Sequence, residues 1–145
     1  MAMSEQDVPT IIKPGAYGDD VDYEPPLKVG WGIDSKTVNN PMATMGRSVL
    51  PPGTGNPNPT HYHMFNDVAW HIISGRVKCT FGSPDLSDLH DEYAEAGDFV
   101  YIPRRNIHIL ENASDTEEAV LIFCYIGVPS KEAAVTVFLD DDRDA

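Results

Sequence analysis

From residue 27 onward the chain is cut into short apolar runs by recurring Gly, Pro, Asn and Asp, and none of these runs carries a sustained helical period. Residues 28–33, 43–50, 61–63, 68–73, 76–81, 98–102, 107–111, 119–126 and 134–139 read as strands. Between them lie turn signals such as Pro51-Pro52-Gly53, Ser74-Gly75, Gly82-Ser83-Pro84, Ala96-Gly97 and Gly127-Val128-Pro129. Many short strands at this spacing predict an all-β sandwich or barrel. Residues 83–95 fit either a short helix or a polar loop between two halves of the barrel.

A chain of 145 residues suits one domain, able to bury roughly two-thirds of the surface it exposes when unfolded. Residues 1–26 are rich in Pro, Gly and acid and end in Pro25-Pro26, which predicts an extended N-terminal arm. The barrel is then expected over 27–139, followed by an acidic tail over 140–145.

The formal charge is −13, with 10 basic residues scattered among 23 acidic ones. Binding a polyanion needs clustered Lys and Arg, so no nucleic-acid partner is expected. No apolar run approaches the ~20 residues that span a bilayer, and the first thirty residues lack a signal-peptide core. A cytoplasmic protein with no membrane contact is the expectation. Cys79 and Cys124 each sit in an apolar run, and two such residues read as free buried thiols rather than a disulfide framework.

His61 and His63 stand one residue apart at the head of a strand-like run, and His108 follows in a second segment framed by Gly97 and Pro103. Alternation puts His61 and His63 on one strand face, about 6.5–7 Å apart, close enough for both imidazoles to reach one metal ion. Three neutral imidazoles suit a divalent transition metal, with iron the first expectation and Mn, Zn, Ni, Co or Cu as alternatives, because affinity order alone does not select among them.

Gly55, His61, His63, a nearby carboxylate and Gly75, followed by Gly97, Pro103, His108 and Asn112, resemble the two motifs of the cupin superfamily. The resemblance spans about residues 43–128. It implies a small single-domain jelly-roll β-barrel holding a metal inside its mouth through three His and usually one Glu. Aligned from His63, the expected Glu position falls on Asp67; counted back from Gly75 it falls on Val68. Asp67 is favoured, since valine cannot ligate. Arg105 stands where the second motif usually has glycine. If that position needs a positive φ, the turn is expected to be built differently here.

His71 has two readings. If Asp67 points inward, His71 shares its face and is placed to move a proton beside the metal; if Val68 points inward, His71 faces out next to Trp70. Leu110 and Asn112 should share the face of His108, Arg47 and Tyr62 are candidates for the mouth or a subunit contact, and with Arg105 at the rim, Arg47, Leu110 and Asn112 are the expected substrate-binding residues. Arg104 and Arg105 suit either an acidic substrate or a carboxylate of the same chain.

The resemblance implies a small-molecule substrate and, first, an oxidoreductase of dioxygenase type in which Asp67 or His71 moves the proton. Lewis-acid lyase, isomerase, decarboxylase or cyclase chemistry is the alternative, and a non-catalytic binding barrel the third. A homodimer is expected, with the arm or the 134–139 strand crossing onto a neighbour's exposed edge.

Overall fold

The computed structural model describes residues 8–139; Glu5, Asp7 and the acidic tail lie outside the described residues. Among the described residues, eleven strands run β1 (Asp19–Asp20), β2 (Lys28–Ile33), β3 (Ala43–Leu50), β4 (His61–His63), β5 (Val68–Ser74), β6 (Arg76–Gly82), β7 (His90–Glu95), β8 (Phe99–Ile102), β9 (Ile107–Asn112), β10 (Ala119–Ile126) and β11 (Thr136–Phe138), with a 3-10 turn at Pro14–Ala16 and a one-turn helix α1 (Lys131–Ala134) before the last strand. Alternating apolar residues on these strands bury one face each, and the two resulting antiparallel sheets pack face to face as a jelly roll. One sheet has the order β1-β2-β3-β10-β5-β8, the other β11-β4-β9-β6-β7.

The core lies between them. Val68, Trp70 and Ile72 of β5 and Leu121, Phe123 and Tyr125 of β10 meet Val77 and Cys79 of β6 and Leu110 of β9, all buried. Each large apolar side chain contributes roughly 1.5–3 kcal/mol by leaving water. The β5–β6 hairpin turns at Gly75, whose φ is +81° and whose missing Cβ would meet Ala119 at 2.8 Å; both the left-handed backbone and the close approach require glycine there. Cys79 is buried, Cys124 is half-buried and both are free thiols.

Three segments differ from expectation. Residues 90–95 form edge strand β7 rather than a helix or loop, and Ala94 is its one buried residue, so no alternation marks it in the sequence. The 134–139 segment begins inside α1, whose N-terminus Ser130 caps by accepting from the Ala133 amide. Its strand is β11, which pairs with β4 of the same chain, Thr136 opposite His63 and Phe138 opposite His61.

The arm, too, is more than extended chain. β1 pairs with β2, and the Asp20 carboxylate accepts from Trp31 Nε1 (3.0 Å), Lys131 Nζ (2.9 Å) and the Asp22 and Tyr23 amides (3.1 Å each). Leu27 closes the segment, 1% exposed in the core. Burial alone would push the Asp20 carboxyl up, but the bonds from Trp31 and Lys131 outweigh it and bring it down to about 2. Because the folded value lies below the unfolded one, this stabilisation is complete above the unfolded pKa and fades as pH falls through the folded one. Asp20→Asn should therefore lower stability at pH 7 by about 1 kcal/mol after allowance for solvent screening. In thermal unfolding followed by circular dichroism, the gap to wild type should narrow between about pH 4 and pH 2.

Candidate metal centre

β4 is three residues long, held between β9 and β11. His61 pairs directly with His108 across the β4–β9 ladder, and the buried–half-buried–buried pattern of His61, Tyr62 and His63 turns both histidines into the barrel. The three imidazoles are 0%, 1% and 3% exposed for His61, His63 and His108. Their ring centroids lie 4.2 Å (His61–His108), 5.0 Å (His63–His108) and 5.3 Å (His61–His63) apart. One ligating nitrogen from each falls within 4.8 Å of the others.

The outward nitrogens are tied down. His61 Nδ1 is 2.7 Å from the Pro59 carbonyl and His108 Nδ1 is 3.2 Å from that of Asn106. A carbonyl only accepts, so Nδ1 carries a proton in both rings and Nε2 is the nitrogen each turns toward the cluster. His63 Nδ1 meets Thr136 Oγ1 at 3.0 Å, and Tyr23 Oη lies 2.5 Å from that hydroxyl. His63 Nε2 has no hydrogen-bond partner among the described residues. Desolvation, then the charge of His61, pushes His63 well below the ordinary histidine value; desolvation with His61 and His63 does the same to His108. Both rings are thus neutral at physiological pH, the form that ligates metal. Oriented Nδ1–H groups, converging lone pairs and an orphaned buried nitrogen are what a three-imidazole metal site requires.

A buried carboxylate stands beside them that the sequence reading missed. Glu24, carried by the arm and 8% exposed, places Oε1 3.3 Å from His61 Nε2, and Asn58 Nδ2 donates to Oε2 at 3.2 Å. Asn58 Oδ1 in turn accepts from the Leu110 amide at 2.6 Å. Burial pushes the Glu24 carboxyl up, but His61, with help from His108 and Asn58, outweighs it and holds the group below its ordinary value. Its single sequence signal is an acid directly before Pro25-Pro26.

The other predicted residues are placed elsewhere. Val68, not Asp67, faces inward on β5; Asp67 lies outside the barrel, where it accepts from Tyr101 Oη, from the Arg104 amide (2.8 Å) and from Arg104 Nε (3.1 Å). Those bonds, Tyr101 first, bring its carboxyl down to about 2. His71 shares that outer face, stacked on Phe99 at 4.2 Å with Nδ1 donating to the Asp98 carbonyl. A one-residue shift in strand register inverts every side chain, and that shift removes both Asp67 and His71 from the cluster. Arg47 projects from the exposed face of β3. Arg105 is exposed, and its turn keeps the left-handed backbone (φ +64°) in spite of the side chain; its amide bonds the His63 carbonyl at 2.8 Å. The expectation of a rebuilt turn is thereby corrected. Leu110 is inside the barrel near Glu24. Asn112, buried at the far end of β9, donates to the Leu50, Pro51 and Glu117 carbonyls and so ties loops together rather than lining the cluster.

The interior beside His108, walled by Glu24, Leu27, Trp70, Leu110, Phe123 and Tyr125, holds about 10 Å³, room for roughly one water. A larger groove of about 440 Å³ lies between β7 and β8, lined by Phe99, Tyr101 and Tyr93, and none of the three histidines borders it.

Comparison with known proteins agrees with this architecture. The cupin domain family model matches residues 46–125. The chain is a cupin. No curated protein matches it. Among solved structures, Bacillus subtilis oxalate decarboxylase, studied for its Mn(II) centres, superposes with a TM-score of 0.65 at 23% identity, over 78% of this chain and 28% of that one. A deletion variant of the same enzyme gives 0.64 at 23% identity, over the same shares. This cupin therefore spans about a quarter of those chains, and the likeness establishes the fold. Among the described residues no helix is long and apolar enough to cross a membrane.

Two outcomes follow from the geometry. His63→Leu removes the orphaned Nε2, which offsets loss of the Nδ1–Thr136 bond, and the Thr136 hydroxyl keeps Tyr23 as a partner, so the metal-free variant should unfold in urea within about 1 kcal/mol of wild type. Asp67→Asn should leave metal content by plasma mass spectrometry unchanged.

Proposed function

We propose that this cupin is a metal-dependent oxidoreductase of dioxygenase type acting on a small organic molecule, with iron or manganese held by His61, His63 and His108. The convergence of three Nδ1-anchored imidazoles on one buried point carries the reading. A metal held there by His61, His63 and His108 would supply Lewis acidity and redox chemistry. The chain's own residues do the rest. Trp70 and Phe123 keep bulk water from the cluster, and Thr136 orients His63. Tyr125, whose phenol burial pushes well above the ordinary value, stays protonated and donates toward Tyr23 Oη at 3.5 Å.

Lewis-acid chemistry such as decarboxylation is the second reading, supported by the Mn(II) centres of the structurally similar decarboxylase. A homodimer accompanies either reading, with exposed Phe99 and Tyr101 on edge strand β8 as the self-association surface.

Aerobic and anaerobic assays of iron- and manganese-loaded protein against enolic, phenolic, thiol and dicarboxylate compounds separate the two. Oxygen uptake that falls at least a hundredfold in His108→Ala supports the first reading, and CO2 release or isomerisation without oxygen uptake supports the second. Turnover unchanged in His61→Ala would defeat both.

A further inference from the structure

We propose that Glu24 is the carboxylate ligand of the metal centre, delivered by the N-terminal arm rather than by a strand that carries the histidines. This rests on the metal reading above and adds the residue that completes it. Ordered distances support the assignment. A charge-assisted N–H···O bond is ordinarily about 2.7–2.9 Å long, whereas Glu24 Oε1 and His61 Nε2 are 3.3 Å apart. Two atoms each about 2.1 Å from one ion, at angles between square and tetrahedral, are separated by about 3.0–3.4 Å.

Burial supports it as well. Glu24 and Asp34 are the buried acids among the described residues, and Asp34 is occupied by its own turn, accepting from the Lys36 amide at 2.9 Å. An ionised carboxylate inside a barrel needs a cation or a metal beside it. On β5, the inward position nearest in sequence to β4 is Val68, an apolar residue, and Asp67 is engaged outside. The remaining Glu24 oxygen is fixed from the opposite side by Asn58, itself held by the backbone of β9. Two further contacts dock the segment: the Asp20 cluster before Glu24 and the Leu27 amide bonded to the Glu24 carbonyl at 2.8 Å after it. Metal binding and arm docking are therefore one linked event.

The test titrates the metal-free full chain with Mn(II), reading free aquo-ion by electron paramagnetic resonance. Wild type should bind one equivalent, Glu24→Gln at least tenfold more weakly, and His63→Ala without a specific site. Unchanged thermal unfolding of metal-free Glu24→Gln shows that the variant is folded. As a second readout needing no variant, Mn(II) should slow hydrogen exchange of the wild-type amides over residues 20–27 at least fivefold. Equal affinity in wild type and Glu24→Gln, with loss in His63→Ala, would overturn Glu24 as ligand while leaving the three-histidine centre standing. Absence of a specific Mn(II) site in wild type, with the same result for iron, would overturn the centre and this proposal with it.

Discussion

Three imidazoles and a carboxylate held inside an apolar barrel set a desolvation problem that organises the surrounding structure. A buried polar group left without a partner costs about 1–3 kcal/mol, and His63 Nε2 is such a group. The chain limits that cost at the outer nitrogens, where Pro59, Asn106 and Thr136 satisfy one side of each ring. The inner nitrogens are kept facing one another. Neutral His63 and His108 follow from the same desolvation, so the feature that costs stability in the metal-free chain is the feature that prepares the rings as ligands.

Strand pairing supplies the precision. β4 has only three residues, yet its neighbours fix it on both sides: β9 places His108 opposite His61, and β11 places Thr136 opposite His63. The Arg105 amide holds the His63 carbonyl from a left-handed turn, a backbone that costs a non-glycine residue roughly 1–2 kcal/mol. The arm then closes the barrel over the cluster. Asp20 gathers Trp31, Lys131 and two amides into an anchor, and Glu24 enters the interior a few residues later.

Much of this was visible in the order of residues alone. Strands such as β3 and β10 bury every second residue, and that alternation is a strong local signal. The spacing of His61 and His63 states their common face directly. What stayed hidden had physical reasons. β7 is exposed along nearly its whole length, so its sequence has no period to detect. The face of β5 turns on one residue of register, and its two flanking landmarks, His63 and Gly75, point to different residues, Asp67 and Val68. The buried apolar alternation of Val68, Trp70 and Ile72 turns that face inward and leaves Asp67 and His71 outside. Glu24 lies beyond any local pattern: its partner His61 is paired with it only through the three-dimensional path of the arm.

Anomalous diffraction at the metal edge, from crystals of the metal-loaded protein, tests the central claim most directly. One strong peak within coordination distance of the Nε2 atoms of His61, His63 and His108 is the predicted result. A peak at surface carboxylates with the three rings still bare would contradict it.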